Sequence, residues 1–265
     1  MSLPGTILLL VRALPLELGI ALAQLSVLLY LLLRPDYRTE IFRNYQLVCG
    51  KQSRWFWVRN GWTVGRNLAL MARMATRHGD AIIDRAKIYV DNITQQTLEQ
   101  ELHTIMVSFH FGLWEFLPRV FVRRGFAVRL VTGRQRDRVL NRMVQRLRRV
   151  AEVRHNGQSR PVGHVRQVTG FMLDNTTRGE QTWGEVSGIR LRMLQAPFRM
   201  ATKHHVGVIP LFAWLENGRL QVEMGKPGDA AAAAQALLNL VRVKPEQWVF
   251  WAKAGALQQK RTESE

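Results

Sequence analysis

The sequence predicts an α/β fold: a mixed central sheet flanked by helices, preceded by an N-terminal hydrophobic anchor helix. Three observations lead there. From about residue 80 onward, short β-rich runs alternate with helical runs, the pattern of a sheet that carries helices on its faces. Glu216-Asn217-Gly218 separates the last two strand-like runs and reads as a hairpin turn, which makes the sheet mixed. Hydrophobic residues form 47% of the 265, enough for one substantial core plus a short appendage.

Taken in order, residues 6–33 are nearly all apolar, interrupted by Arg12, Glu17, Gln24 and Ser26. The cleanest part, 18–33, is slightly short for a straight bilayer span of about 20 residues. Adding 7–16 makes it long enough, but encloses Arg12 and Glu17 and places Pro15 as a kink. No basic region precedes this segment and no small-residue cleavage site follows it, so the reading is a retained anchor, spanning or lying in one leaflet. A buried core helix is the alternative. Arg34, Arg38, Arg43, Lys51, Arg54 and Arg59 follow directly, which puts the rest of the chain on the cytoplasmic face. Residues 1–33 are therefore assigned to the anchor and 34–265 to a single further domain.

Residues 36–78 read as helical, with Trp55, Phe56, Trp57 and Trp62 suited to the core or to the lipid headgroup level. Strands are expected at 88–90, 104–109, 126–131, 168–173, 206–214 and 219–224. Helices are expected at 113–124, 137–149, 191–205 and 229–241.

Charge narrows the partners. There are 38 Lys+Arg against 20 Asp+Glu, a net charge of +18. Such a field favours nucleic acid, an acidic carrier protein or a phospholipid surface, and the hydrophobic N-terminus favours the membrane. Arg142, Arg146 and Arg149 recur at helical spacing as one basic face, either solvated or docking to a membrane or carrier. Cys49 is the single cysteine, so no disulfide forms within the chain, and His204-His205 lacks a third ligand for a metal.

The chemistry concentrates in Ser108-Phe109-His110-Phe111-Gly112-Leu113-Trp114-Glu115. A β run ends at His110 and a helical run begins near Leu113, which sets His110 at the carboxyl end of a strand, where α/β sheets commonly bind ligands. Glu115 falls in the first turn that follows, close enough to fold back on the imidazole, and Gly112 permits the tight turn between them. Histidine titrates nearest neutrality, so it suits a base that takes a proton from a hydroxyl attacking a thioester. A carboxylate on its other ring nitrogen would set the tautomer, and N–H groups at the helix start could meet the oxyanion. On spacing alone, the commoner reading is His110 as a core histidine and Glu115 as a helix-dipole residue; the strand-end position and the adjacent Gly112 bring the functional reading level with it.

The segment His110 to Glu115 resembles the H-x4-D/E block of the lysophospholipid acyltransferase superfamily. The chain is most similar to its lipid A biosynthesis (lauroyl/myristoyl) acyltransferase branch over most of residues 6–255. Val131-Thr132-Gly133-Arg134, Met172-Leu173-Asp174-Asn175 and Val208-Ile209-Pro210-Leu211-Phe212 resemble its second, third and fourth blocks. Pro245-Glu246-Gln247-Trp248-Val249-Phe250-Trp251 resembles its Pro-Glu-Gln-aromatic ending. Departures fall at Thr176, at 185–188, at 195–198 and at Ala252-Lys253-Ala254, where acceptor and acyl chain would be gripped.

The resemblance implies a glycerolipid acyltransferase-like fold and a membrane-associated enzyme of the cell inner membrane. It would move a fatty-acyl group from acyl-carrier protein or acyl-CoA to a hydroxyl of a lipid A precursor-like acceptor. His110 and Glu115 would be catalytic, with Gly112, Arg134, Asp174 and Pro210 at the substrate. No metal or resident cofactor is implied; the thioester is a co-substrate, and membrane lipids are the partners rather than nucleic acid. The alternatives are a lysophospholipid, glycolipid or aminolipid acceptor, or a non-catalytic basic membrane or nucleic-acid binder.

Overall fold

The computed structural model describes residues 3–74, 76–132, 141, 145, 148, 152–154, 166–174, 179–253 and 255–259. The apolar N-terminus forms helices α1 (Leu3–Ala13) and α2 (Leu16–Leu32) rather than one anchor helix. The break falls at Pro15, which lies in extended backbone (φ −51, ψ 152) and lacks the N–H needed to continue the helix. Arg73 closes the end of α1 by donating through Nη2 to the carbonyls of Val11, Leu14 and Pro15. The helical region expected at 36–78 divides into α3 (Pro35–Cys49), α4 (Phe56–Ala72) and the start of α5 (Arg77–Asp84). Among the described residues no single helix is long and apolar enough to cross a membrane; α2 and α3 would qualify together but are bent by 95°.

Small residues let α2 lie against α4. A Cβ added at Gly65 would meet the main chain of Gln24 at 2.5 Å, so the helices approach backbone to backbone there. Gly19, Ala23, Gln24 and Leu31 are buried along α2, whereas Leu18, Leu25, Leu29 and Leu32 are exposed. These sets lie on opposite faces.

The main sheet contains β1 (Lys87–Tyr89), β2 (His103–Gly112), β3 (Ala127–Val131), β4 (Glu152–Arg154), β5 (Gln167–Met172), β8 (Val208–Glu216) and β9 (Arg219–Met224). Its order is β1-β9-β8-β2-β5-β3-β4, parallel throughout except for the β8–β9 hairpin. That hairpin turns at Asn217 and Gly218, both with positive φ (50 and 74), as the Asn-Gly pair requires. The mixed sheet flanked by helices is as expected. Helix α6 (Asn92–Gln100), capped by the Asp91 carboxylate, precedes β2.

One expected helix is partly a strand. The sequence predicts a helix over 191–205, but β7 (Ile189–Leu194) pairs antiparallel with β6 (Gln181–Val186) and with β10 (Leu257–Gln259) in a second, three-stranded sheet. Only Ala196–His204 is helical, forming α8. The reason is visible in Ile-Arg-Leu-Arg-Met-Leu, whose burial alternates with period two. Ser187 and Gly188, with φ 49 and 75, turn that hairpin. The helix expected at 137–149 falls largely outside the described residues.

Both faces of the main sheet are covered. Ile105, Val107, Phe109 and Phe111 of β2 join a core with Trp248, Trp251 and helix α9 (Ala230–Val243). Met106 faces the other way, toward Leu117 and Phe121 of α7 (Leu117–Arg123) and Leu70 and Met71 of α4.

Gly112 ends β2 with φ +57, and a Cβ there would fall 2.1 Å from the Ala213 carbonyl oxygen. Gly125 also has positive φ (+83) but has nothing within 4 Å of such a Cβ. Gly112→Ala should therefore destabilise the protein by about 2–4 kcal/mol, and Gly125→Ala by about 1 kcal/mol, the backbone cost alone. Urea denaturation of the two variants checks this; equal losses would remove the steric role of Ala213.

Candidate active site

His110 reaches the carboxyl end of β2, as expected, but its carboxylate partner is not Glu115. The parallel register of β2 and β5 pairs His103 with Gln167 and Ser108 with Met172, an offset that places residue 174 across from residue 110. Asp174 Oδ1 lies 2.7 Å from His110 Nδ1, and its Oδ2 accepts the His110 main-chain N–H at 2.9 Å. Trp248 Nε1 donates to the same Oδ2 at 3.1 Å, and Lys253 Nζ donates to the Asp174 carbonyl at 2.6 Å. The Asp174 side chain is 1% exposed and the His110 side chain 19%. A buried carboxylate is tolerable only when such donors surround it.

Local backbone presents the imidazole. Pairing of β2 with β8 shifts register between Ser108 and Gly112, so His110 lies in the irregular stretch between its last regular partner and the Gly112–Ala213 contact. Phe111 bridges to Trp248, which draws the C-terminal segment onto the site. Two aromatic rings flank the imidazole: Trp114 at 4.9 Å and Phe250 at 4.5 Å between centroids.

Glu115 has a different partner. It sits in a 3₁₀ turn (Trp114–Phe116), accepts from Trp114 Nε1 at 3.2 Å and makes a two-pronged ion pair with Arg148. The two side chains are 11% and 10% exposed. Burial opposes the guanidinium charge of Arg148, but the adjoining Glu115 carboxylate outweighs it and holds that group above its ordinary value. The idea that Glu115 folds back on the imidazole is thus corrected: it lies only five positions along the chain from His110, yet its carboxylate is occupied by a buried cation.

Of the other expected site residues, Gly112 provides the turn and the close approach to Ala213. Pro210 lies within β8 opposite Val107, three positions short of His110 in the sheet. Its carbonyl accepts from Gly225 at the end of the β9 pairing, so its missing N–H faces the side where the ladder stops. Arg134 lies outside the described residues. The N–H groups proposed for an oxyanion are partly committed, Leu113 N donating to Ala213 O and Phe116 N to Leu113 O.

Trp114 also lines a cavity of about 60 Å³ between the sheet and α7, walled by Met106, Phe121, Val128, Phe171 and Leu211. Glu115 and Arg148 are the charged side chains in its wall. Among the described residues no cluster of His, Cys, Asp and Glu is arranged to hold a metal ion. Sequence reading gives no role to Arg148, and places Phe250 and Lys253 only within or beside the aromatic block. In the sequence Arg148 falls outside the helical spacing of Arg142, Arg146 and Arg149, Phe250 belongs to the aromatic block, and Lys253 follows it.

Removing one member of a buried ion pair strands the other. Glu115→Ala should lower the unfolding free energy by about 3–5 kcal/mol, measured by urea denaturation. A loss below about 1 kcal/mol would mean that Arg148 swings into water.

Neither a protein-family model nor a curated protein matches the chain.

Proposed function

We propose that the protein is a membrane-associated O-acyltransferase in which His110, oriented by Asp174, is the general base. The supporting observation is the 2.7 Å contact between His110 Nδ1 and the buried Asp174, with Trp114 both flanking the imidazole and lining an apolar cavity. With Asp174 as an anion, Nδ1 carries the proton and Nε2 presents a lone pair. An acceptor hydroxyl attacks the carbonyl carbon of an acyl thioester while Nε2 takes its proton. The tetrahedral intermediate then collapses, the C–S bond breaks, and the imidazolium returns the proton to the departing thiolate. Ester and free thiol are the products. The flanking Trp114 and Phe250 rings shield the imidazole from bulk water and offer apolar surface to the acyl chain.

An acyl-carrier protein or coenzyme A thioester as donor fits the +18 net charge, since both donors are acidic. A lipid A precursor-like acceptor, and with it the cytoplasmic face of an inner membrane, rests on the resemblance of the sequence blocks. The exposed leucines of α2 supply the membrane contact in this reading, lying in one leaflet while the opposite face packs on α4.

Purified protein is to be assayed with radiolabelled acyl thioesters and a panel of lipid hydroxyls. Asp174→Asn should cut kcat by roughly 10³–10⁴-fold, because the amide favours the wrong tautomer, and His110→Ala by at least as much. Glu115→Gln should retain far more turnover than Asp174→Asn. Absence of transfer by the unaltered protein to any acceptor would leave a basic membrane binder instead.

Leu18→Gln combined with Leu25→Gln and Leu29→Gln should weaken binding to anionic vesicles more than tenfold, each leucine contributing about 1.5–3 kcal/mol when buried in lipid, with the melting temperature unchanged. Co-sedimentation equal to that of the unaltered protein would assign membrane contact to the basic surface.

A further inference from the structure

Three buried asparagines from the N-terminal helices converge on the segment that lies against the imidazole. Pro245–Gln247 and Val249–Ala252 are 3₁₀ turns, too short to satisfy all of their own carbonyls. Asn44 of α3 donates through Nδ2 to the Trp251 carbonyl at 2.7 Å. Asn60 of α4 donates through a single Nδ2 to two carbonyls, those of Glu246 at 3.0 Å and Trp248 at 2.8 Å. Asn67, further along α4, reaches only a side chain, the Gln247 Oε1 at 2.9 Å. A leucine at position 60 would bury more apolar surface, but it has nothing to donate. The amide there fixes the main chain on either side of residue 247. That main chain carries Trp248, which is fully buried and donates through Nε1 to Asp174 Oδ2 at 3.1 Å, while Asp174 Oδ1 holds the His110 ring. Losing a donor in a place closed to solvent leaves the carboxylate short of a partner.

We propose that Asn60 is a positioning residue for acyl transfer: by holding the carbonyls of Glu246 and Trp248 it seats the Trp248 indole on Asp174, and through Asp174 it fixes the imidazole of His110. The inference rests on His110 being the base that Asp174 orients, and it extends that pair to a helix outside the sheet. The contacts run without a gap from amide to carbonyl, indole to carboxylate and carboxylate to imidazole. They span 188, 74 and 64 residues of sequence, so no local segment can supply them. Without the first contact the 3₁₀ turn is free to shift, and a displacement of about 1 Å at a reacting group lowers turnover by roughly 10²-fold. Asn67 is the internal control, because its amide ends on a side chain and leaves the main chain of 246–248 in place.

The first readout needs no turnover. With the full chain in detergent micelles and ¹⁵N-labelled tryptophan, the Trp248 indole N–H resonance is identified by its loss in Trp248→Phe. Asn60→Ala should move this resonance and speed its exchange with solvent by roughly tenfold or more, whereas Asn67→Ala should leave both unchanged. Turnover is then compared at a temperature where both variants are folded, with the acyl thioester and lipid hydroxyl that the unaltered protein uses fastest. Asn60→Ala should lower kcat by roughly 10–100-fold at unchanged KM, and Asn67→Ala by less than about threefold. Asn60→Ser carries the comparison if Asn60→Ala does not fold. An unmoved indole resonance in the folded variant, or equal losses of kcat at positions 60 and 67, overturns the inference. Transfer by the unaltered protein alongside an unmoved resonance keeps the reaction and rejects Asn60 as its positioning residue. A moved resonance without any transfer by the unaltered protein rejects the reaction, and Asn60 then only seats Trp248 on Asp174.

Discussion

A single buried carboxylate organises the site. Asp174 is almost fully removed from water, and a charge in that position is costly unless donors replace the lost hydration. The donors come from distant parts of the chain: the main chain and ring of His110 at the end of β2, the indole of Trp248, and the Lys253 ammonium on its carbonyl. Satisfying one anion therefore ties together the ends of two parallel strands and the C-terminal segment. The same contacts that make the charge tolerable also orient the imidazole.

Glu115 solves the same problem separately. Its negative charge is answered by Arg148 and by the Trp114 indole, so the two acids near the imidazole have distinct tasks. Asp174 acts on the histidine; Glu115 holds a cation in the wall of an otherwise apolar cavity. Both acids bear on Trp114 or His110, and those rings touch, so the two ionic assemblies share one aromatic contact.

Much of the architecture could be read locally. The Asn217-Gly218 turn needs positive φ at both positions, which few other pairs accept, and the hairpin it implies is present. His110 at a strand end and Gly112 in a tight turn follow from a β run meeting glycine. Local reading failed where two periodicities competed: Leu191 to His205 contains good helix formers, yet the alternating arginines at 190 and 192 follow strand geometry up to Leu194. At the N-terminus, apolar content suggested one helix, while Pro15 and the glycine contact with α4 produce a broken pair.

From the amino-acid order alone come the strand that ends in a histidine, the turn after it, the hydrophobic N-terminus and the basic surface, because each depends on neighbours within a few residues. Which acid meets the imidazole depends on which strands lie side by side. Glu115 is close along the chain, but Asp174, 64 residues away, is opposite His110 because β5 pairs with β2 in parallel register. Strand order is settled by burial of whole faces against helices drawn from the entire chain. That sum of packing, and not any spacing, decided the partner.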